Sequence, residues 1–175
     1  MKTDQRDLLQ QAISALQLRD VMLNECSFKR PSPPPPASDS IKARHLTKQT
    51  VTFVVGEVEQ ADRTVKLLQV IVALGIRIAG LHAKNRPVYF EIEADFLVEY
   101  EVRAKLSEAA IKAFADANSV HNVWPFWRQH VFDIVSRARL PHLQVPLFSG
   151  GVSQEPPRLQ KGKRPSRQGS GVATA

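Results

Sequence analysis

The chain has a single cysteine, Cys26, so it can form no disulfide of its own, and this usage fits an intracellular, cytoplasmic protein. No histidine or second cysteine stands at ligand spacing from Cys26, which reads as a packed or idle thiol rather than a nucleophile or metal ligand. Nowhere does an uninterrupted apolar run approach the roughly 18 residues of a membrane-spanning helix. The start, MKTDQRDLLQQ, is polar and lacks the apolar core of a secretory signal. Catalytic signatures are missing too. No glycine-rich phosphate loop follows a strand, and HExxH, CxxC and GxSxG are all absent. The histidines (His45, His82, His121, His130 and His142) are scattered, and each reads as a loop or solvated-helix residue. His121 and His130 fall on different faces of one helix and cannot hold an ion between them. The sequence is therefore read as that of a non-enzyme with no metal site and no cofactor.

What the chain does have is charge and prolines, both unevenly placed. The net charge is +7, and residues 151–175 carry Arg158, Lys161, Lys163, Arg164 and Arg167 against Glu155 alone, leaving +3 on the body. A basic tail rich in Gly, Pro, Ser and Gln cannot bury a core, so 149–175 is expected to be disordered. It reads as a solubilising end. The alternative is a nucleic-acid-binding module driven by that tail, whose affinity would fall steeply with salt. The run RPSPPPPASDS favours an extended, unpaired conformation and reads as a stiff connector.

Hydrophobic periodicity supplies the elements. Leu8, Leu9, Ala12, Ile13 and Leu16 recur at helical spacing over about 4–18, with Asp4 or Asp7 to cap the start. Residues 19–29 fit a strand. So do 49–58, with Val51, Phe53 and Val55 on one face and a bulge expected at Gly56. In 64–78, Leu68, Val70, Val72, Leu74, Ile76 and Ile78 line one side. In 88–102, Val88, Phe90, Ile92, Ala94, Phe96, Val98, Tyr100 and Val102 oppose Glu91, Glu93, Asp95, Glu99 and Glu101. That acidic row reads as a solvated strand face served by cross-strand bases, because successive carboxylates on one strand diverge. Ser107 caps a short helix that Asn118 is expected to stop. A longer helix follows, with Pro125 expected in its first turn, where a missing N–H costs nothing. Val123, Trp124, Trp127, Val131, Ile134, Val135 and Ala138 share an arc of roughly 120° on that helix. Pro141 ends it, and Leu143, Val145 and Leu147 alternate in an extended segment.

The predicted class is α+β, a four-stranded antiparallel sheet with two C-terminal helices. The expected divisions are a helical extension at 1–18, a domain at 19–148 and the tail at 149–175. Two helices cover one sheet face, so some remaining apolar surface should be buried by self-association or offered to a partner.

Several motifs resemble the SecB export chaperones and their SecB-like relatives. VWPFWR, from Val123 to Arg128, is similar to the aliphatic-aromatic-Pro-aromatic-x-Arg start of the family's long helix, and Ser136-Arg137 to its Ser-Arg near the helix end. Leu140-Pro141-His142-Leu143 with Pro146 resembles the segment that follows, NECSFKRP the first strand and FEIEADFLVEYEV the fourth. The resemblance covers about 19–148. It implies a homotetramer built as a dimer of dimers, acting as an ATP-independent holdase for unfolded polypeptides or preproteins, in the service of Sec export. The client groove it implies falls on Trp124, Phe132, Leu143, Val145, Leu147 and Phe148. Glu25 and Glu91 resemble two acids through which export chaperones meet SecA, whereas Lys29 stands where they carry a further acid. Gln129 and Ala138 replace the usual Glu and Gly of the helix. SecB-like proteins attached to toxin–antitoxin modules tolerate such divergence, so a dedicated antitoxin client is the alternative.

Overall fold

The computed structural model describes residues 2–33, 43–60, 63–80, 87–141, 143 and 145–147. The proline connector from Pro34 onward, Phe148 and the basic tail lie outside these residues. In chain order the elements are α1 (Lys2–Ala15), β1 (Leu16–Lys29), β2 (Ala43–Gln60), β3 (Arg63–Gly80), β4 (Val88–Val102), α2 (Glu108–Phe114), a π-helical turn (Ala115–Ser119) and α3 (Val120–Arg137). The strands form one antiparallel sheet in the order β1-β4-β3-β2, so β1 crosses over the β2–β3 hairpin to pair with β4.

Period-2 alternation sets which face is buried. Val70 stands opposite Val98 and Val72 opposite Phe96, and the even-numbered residues from Leu68 to Ile78 and from Phe90 to Tyr100 are all buried. Burying one such aliphatic side chain contributes about 1.5–3 kcal/mol, so this face dominates the stability of the sheet. Ala110, Ile111, Phe114, Val120, Val123, Trp127, Val131 and Val135 complete the same core from the helical side. Ala12 of α1 joins them, and α1 lies against α2. Phe114 meets the ring of Tyr100 edge-on at 4.9 Å, an arrangement aromatic quadrupoles favour. Ser107 caps α2 as expected, its hydroxyl accepting from the Ala110 N–H at 3.2 Å.

The opposite sheet face carries the acidic row of β4, and the expected cross-strand bases are present. Arg77 pairs with Glu91, Lys48 with Glu93 at 3.2 Å and Arg63 with Glu101 at 3.7 Å, while the Gln69 amide donates to Glu99 at 2.7 Å.

Three local expectations are corrected. Gly56 makes no bulge: the β2–β3 register runs unbroken through Gly56↔Leu67, and the irregularities fall instead in β1, between Leu18 and Asp20 and between Leu23 and Glu25, and in the β3–β4 pairing between Ile78 and Ala79. Asn118 does not stop a helix, because the chain stays helical from Glu108 to Arg137 through the π-helical turn. The polar residue beside it, Ser119, is fully buried, so packing overrides its preference for a helix end. Since α3 therefore begins at Val120, Pro125 lies inside it rather than in its first turn. A proline there forfeits the bond to the carbonyl four residues back, that of His121.

Candidate functional site

Helix α3 divides lengthwise. Val123, Trp127, Val131 and Val135 return to the same side every turn and are buried against the sheet, Trp127 to 3% exposure. Trp124 and Arg128 lie one turn apart on the adjoining flank. The Trp124 indole N–H donates to the Pro146 carbonyl at 2.8 Å, and Arg128 Nε donates to the Val145 carbonyl at 3.1 Å. These two side chains hold residues 145 and 146 against the helix from which the chain emerged.

The reversal is built by the helix end. Arg139 adopts φ 49°, in the left-handed region usually reserved for glycine. Its N–H bonds the Ser136 carbonyl at 3.2 Å, and that of Leu140 bonds the Val135 carbonyl at 3.0 Å. This pair of bonds is a Schellman motif, accompanied here by partial burial of Leu140 over the core. Pro141 then forbids further helix.

Leu143 and Val145 are half-buried against the core, whereas Leu147 is 75% exposed. Pro141 and Pro146 have no N–H to give. Among the described residues the segment is thus held by two side-chain donors and two partly buried apolar side chains.

Of the predicted groove residues, Trp124, Leu143 and Val145 are brought together, and Leu147 continues the same segment outward. Phe132 lies one turn beyond Arg128 on the same flank and is 57% exposed. Glu25 and Glu91 lie elsewhere, on the outer sheet face, where Glu25 stands opposite Asp95 and Lys29 opposite Glu91. Glu91 is already engaged by Arg77.

The structure also shows what periodicity missed. Arg128, itself exposed, is the second donor to the chain after α3, through the Val145 carbonyl; its position four residues after Trp124 was the available signal. His130 is half-buried, its ring stacked on Trp127 at 6.2 Å, and its buried Nε2 has no hydrogen-bond partner. Burial lowers its pKa from the ordinary 6.5, opposed by the carboxylate of Asp133. Burial likewise raises the pKa of Tyr100, against the side chains of Ser119 and Asn122. The Asn122 amide donates to the Tyr100 hydroxyl at 3.0 Å, tying the start of α3 to β4. On the outer face Thr52, Ile71, Leu97 and Met22 stand in register across all four strands, an apolar row between charged ones. Its signal was Leu97 among the acids of β4.

No protein-family model matches the chain, and neither does any curated protein. Ten chains of solved structure do match. One is the Mycobacterium tuberculosis SecB-like chaperone Rv1957, in complex with a ChAD peptide from the Rv1956 HigA1 antitoxin. It superposes with a TM-score of 0.62 at 17% identity, over 83% of this chain and 99% of that one. At that identity the likeness is one of architecture: the chain has the SecB-like fold.

Proposed function

We propose that the protein is a cytoplasmic, nucleotide-independent holdase that receives unfolded polypeptide along the α3 flank. The residues involved are Trp124 and Phe132, together with Leu143, Val145 and Leu147 and, outside the described residues, Phe148. The observation that carries this reading is the segment itself. The carbonyls of Val145 and Pro146 are held against α3 by Arg128 and Trp124, with Phe132 exposed on the same flank. Donors that read carbonyls do not read side chains, and apolar surface around them tolerates many sequences, as a non-native client requires.

The fold supports a chaperone, and a solved protein of that fold holds an antitoxin peptide. Engagement of Glu91 by Arg77, with Lys29 beside it, weakens the case for contact with SecA. We therefore favour a dedicated antitoxin-type client over preproteins awaiting export.

Two measurements test the proposal. Light scattering should give the mass of four chains. The purified protein should also suppress aggregation of a chemically denatured protein at one client per tetramer without ATP. A monomer inert in that assay would overturn the proposal.

A further inference from the structure

We propose that β2 pairs with the β2 of a second copy of this chain, antiparallel about a two-fold axis through Thr52, so that two four-stranded sheets continue as one. This contact is independent of the chaperone reading above.

The sheet has two edges, and they differ. β1 carries register irregularities between Leu18 and Asp20 and between Leu23 and Glu25, and bulges of that kind blunt an edge against further pairing. β2 pairs with β3 without a shift over all 18 residues from Ala43 to Gln60, and among the described residues no strand lies on its other side. An unbroken row of main-chain donors and acceptors is therefore open along it. Leu46, Val54 and Val58 are exposed on this strand, and period-2 alternation puts all three on the outer sheet face with Lys48.

The sequence of β2 identifies what it fits. Its first half is basic, with Arg44 and Lys48, and its second half acidic, with Glu57 and Glu59. Antiparallel pairing with itself lays each half against the half of opposite sign. Directly opposed residues must share a face, so only a few registers are open. With Thr52 on the axis, Leu46 meets Val58 and Thr50 meets Val54 on the outer face, while His45 meets Glu59 and Val51 meets Phe53 on the other. Lys48 then stands opposite Gly56, where an added Cβ would meet nothing within 4 Å. The glycine that makes no bulge leaves room for the lysine of the other copy. Moving the axis to Val51 or Phe53 sets Lys48 against Val54 or Val58 and separates Leu46 from Val58. Cross-strand apolar and charged pairs stabilise a ladder, and a two-fold contact makes each of them twice.

Cysteine cross-linking reads the register directly. On a Cys26→Ser background, which removes the native thiol, Thr52→Cys brings two thiols face to face at the axis. Opposite Cα atoms there are about 4.5–5.5 Å apart, within the span of a disulfide. Oxidised glutathione should convert most of the full-length protein to a covalent dimer on a non-reducing gel. Val54→Cys on the same background is the control. It is exposed on the same face but lies opposite Thr50, so it should stay unlinked. Equal cross-linking of the two variants, or cross-linking of neither, would overturn the proposal. Leu46→Lys combined with Val58→Lys sets like charges opposite each other and should halve the mass read by light scattering, with the circular dichroism of the sheet retained; an unchanged mass would overturn the β2 contact. A Thr52→Cys protein that forms no dimer, yet has its thiol shielded by reduced, carboxymethylated α-lactalbumin, would give the edge to an extended client and overturn it too. Cross-linking as expected in a protein that ignores α-lactalbumin would instead remove the chaperone reading and keep the contact.

Discussion

The two tryptophans lie three residues apart on one helix and are put to different uses. Trp127 is sealed in the core and stacked on His130, while Trp124 sits at the border and gives its N–H to the Pro146 carbonyl. The difference is one of helical phase. Three residues turn the helix by about 300°, enough to move a side chain from the middle of the buried stripe to its margin. Aromatic content therefore identified the helix as important, but phase decides which aromatic belongs to the fold and which to the groove.

The sharpest way to break this contrast is Trp127→Ala. Removing a buried indole should destabilise the protein by about 3–5 kcal/mol, read as a lower denaturation midpoint. A loss below 1 kcal/mol would mean the buried stripe is misidentified. Phe132→Ala should do the reverse, leaving stability within about 0.5 kcal/mol and weakening binding of an unfolded client about tenfold. Calorimetry and a fluorescence titration would separate the two effects. A smaller change is expected at the helix end. Arg139 occupies a left-handed conformation that costs a side-chain-bearing residue about 1 kcal/mol, so Arg139→Gly should stabilise by about that amount, read as a higher denaturation midpoint. The smallest effect concerns pH. The folded-state pKa of His130 lies below its unfolded value, so the unfolded chain takes up the proton first. Its contribution to stability is complete above about pH 6.5 and declines as pH falls from there toward the folded pKa. Denaturant titrations between pH 7 and 5 should show a shallower decline in His130→Gln than in wild type.

The sheet was legible because burial on one face imposes a period that sequence displays. β4 runs from Val88 to Val102 as its alternation requires, and β3 extends only slightly beyond its apolar row. Strand ends without such contrast were not legible. The first six residues of β2, ARHLTK, carry no alternation, and they are strand because β3 pairs with them. Leu16 fits the phase of α1 yet begins β1 opposite Val102. The run from Asn118 to Pro125 misled for a related reason. Asn, Ser and Pro each speak locally for a break, whereas the burial of Ser119 and Val120 keeps the helix whole. At the site, the aromatic and apolar members were visible as residue types. Their union was not, since it depends on the turn at Arg139 and on two hydrogen bonds that no periodicity encodes.

The crossover of β1 has a kinetic consequence. β2 and β3 pair from Gln60↔Arg63 outward, each contact closing a loop only slightly longer than the last, so this hairpin can zip quickly. β1 must find β4 on the far side of that hairpin, and its nearest partner in sequence, Lys29↔Glu91, already encloses both other strands. Its closure carries the larger entropic cost, and its two register irregularities weaken the ladder that repays it. β1 is thus expected to dock last and open first, a seam along which the chain can loosen while the hairpin and β4 stay closed.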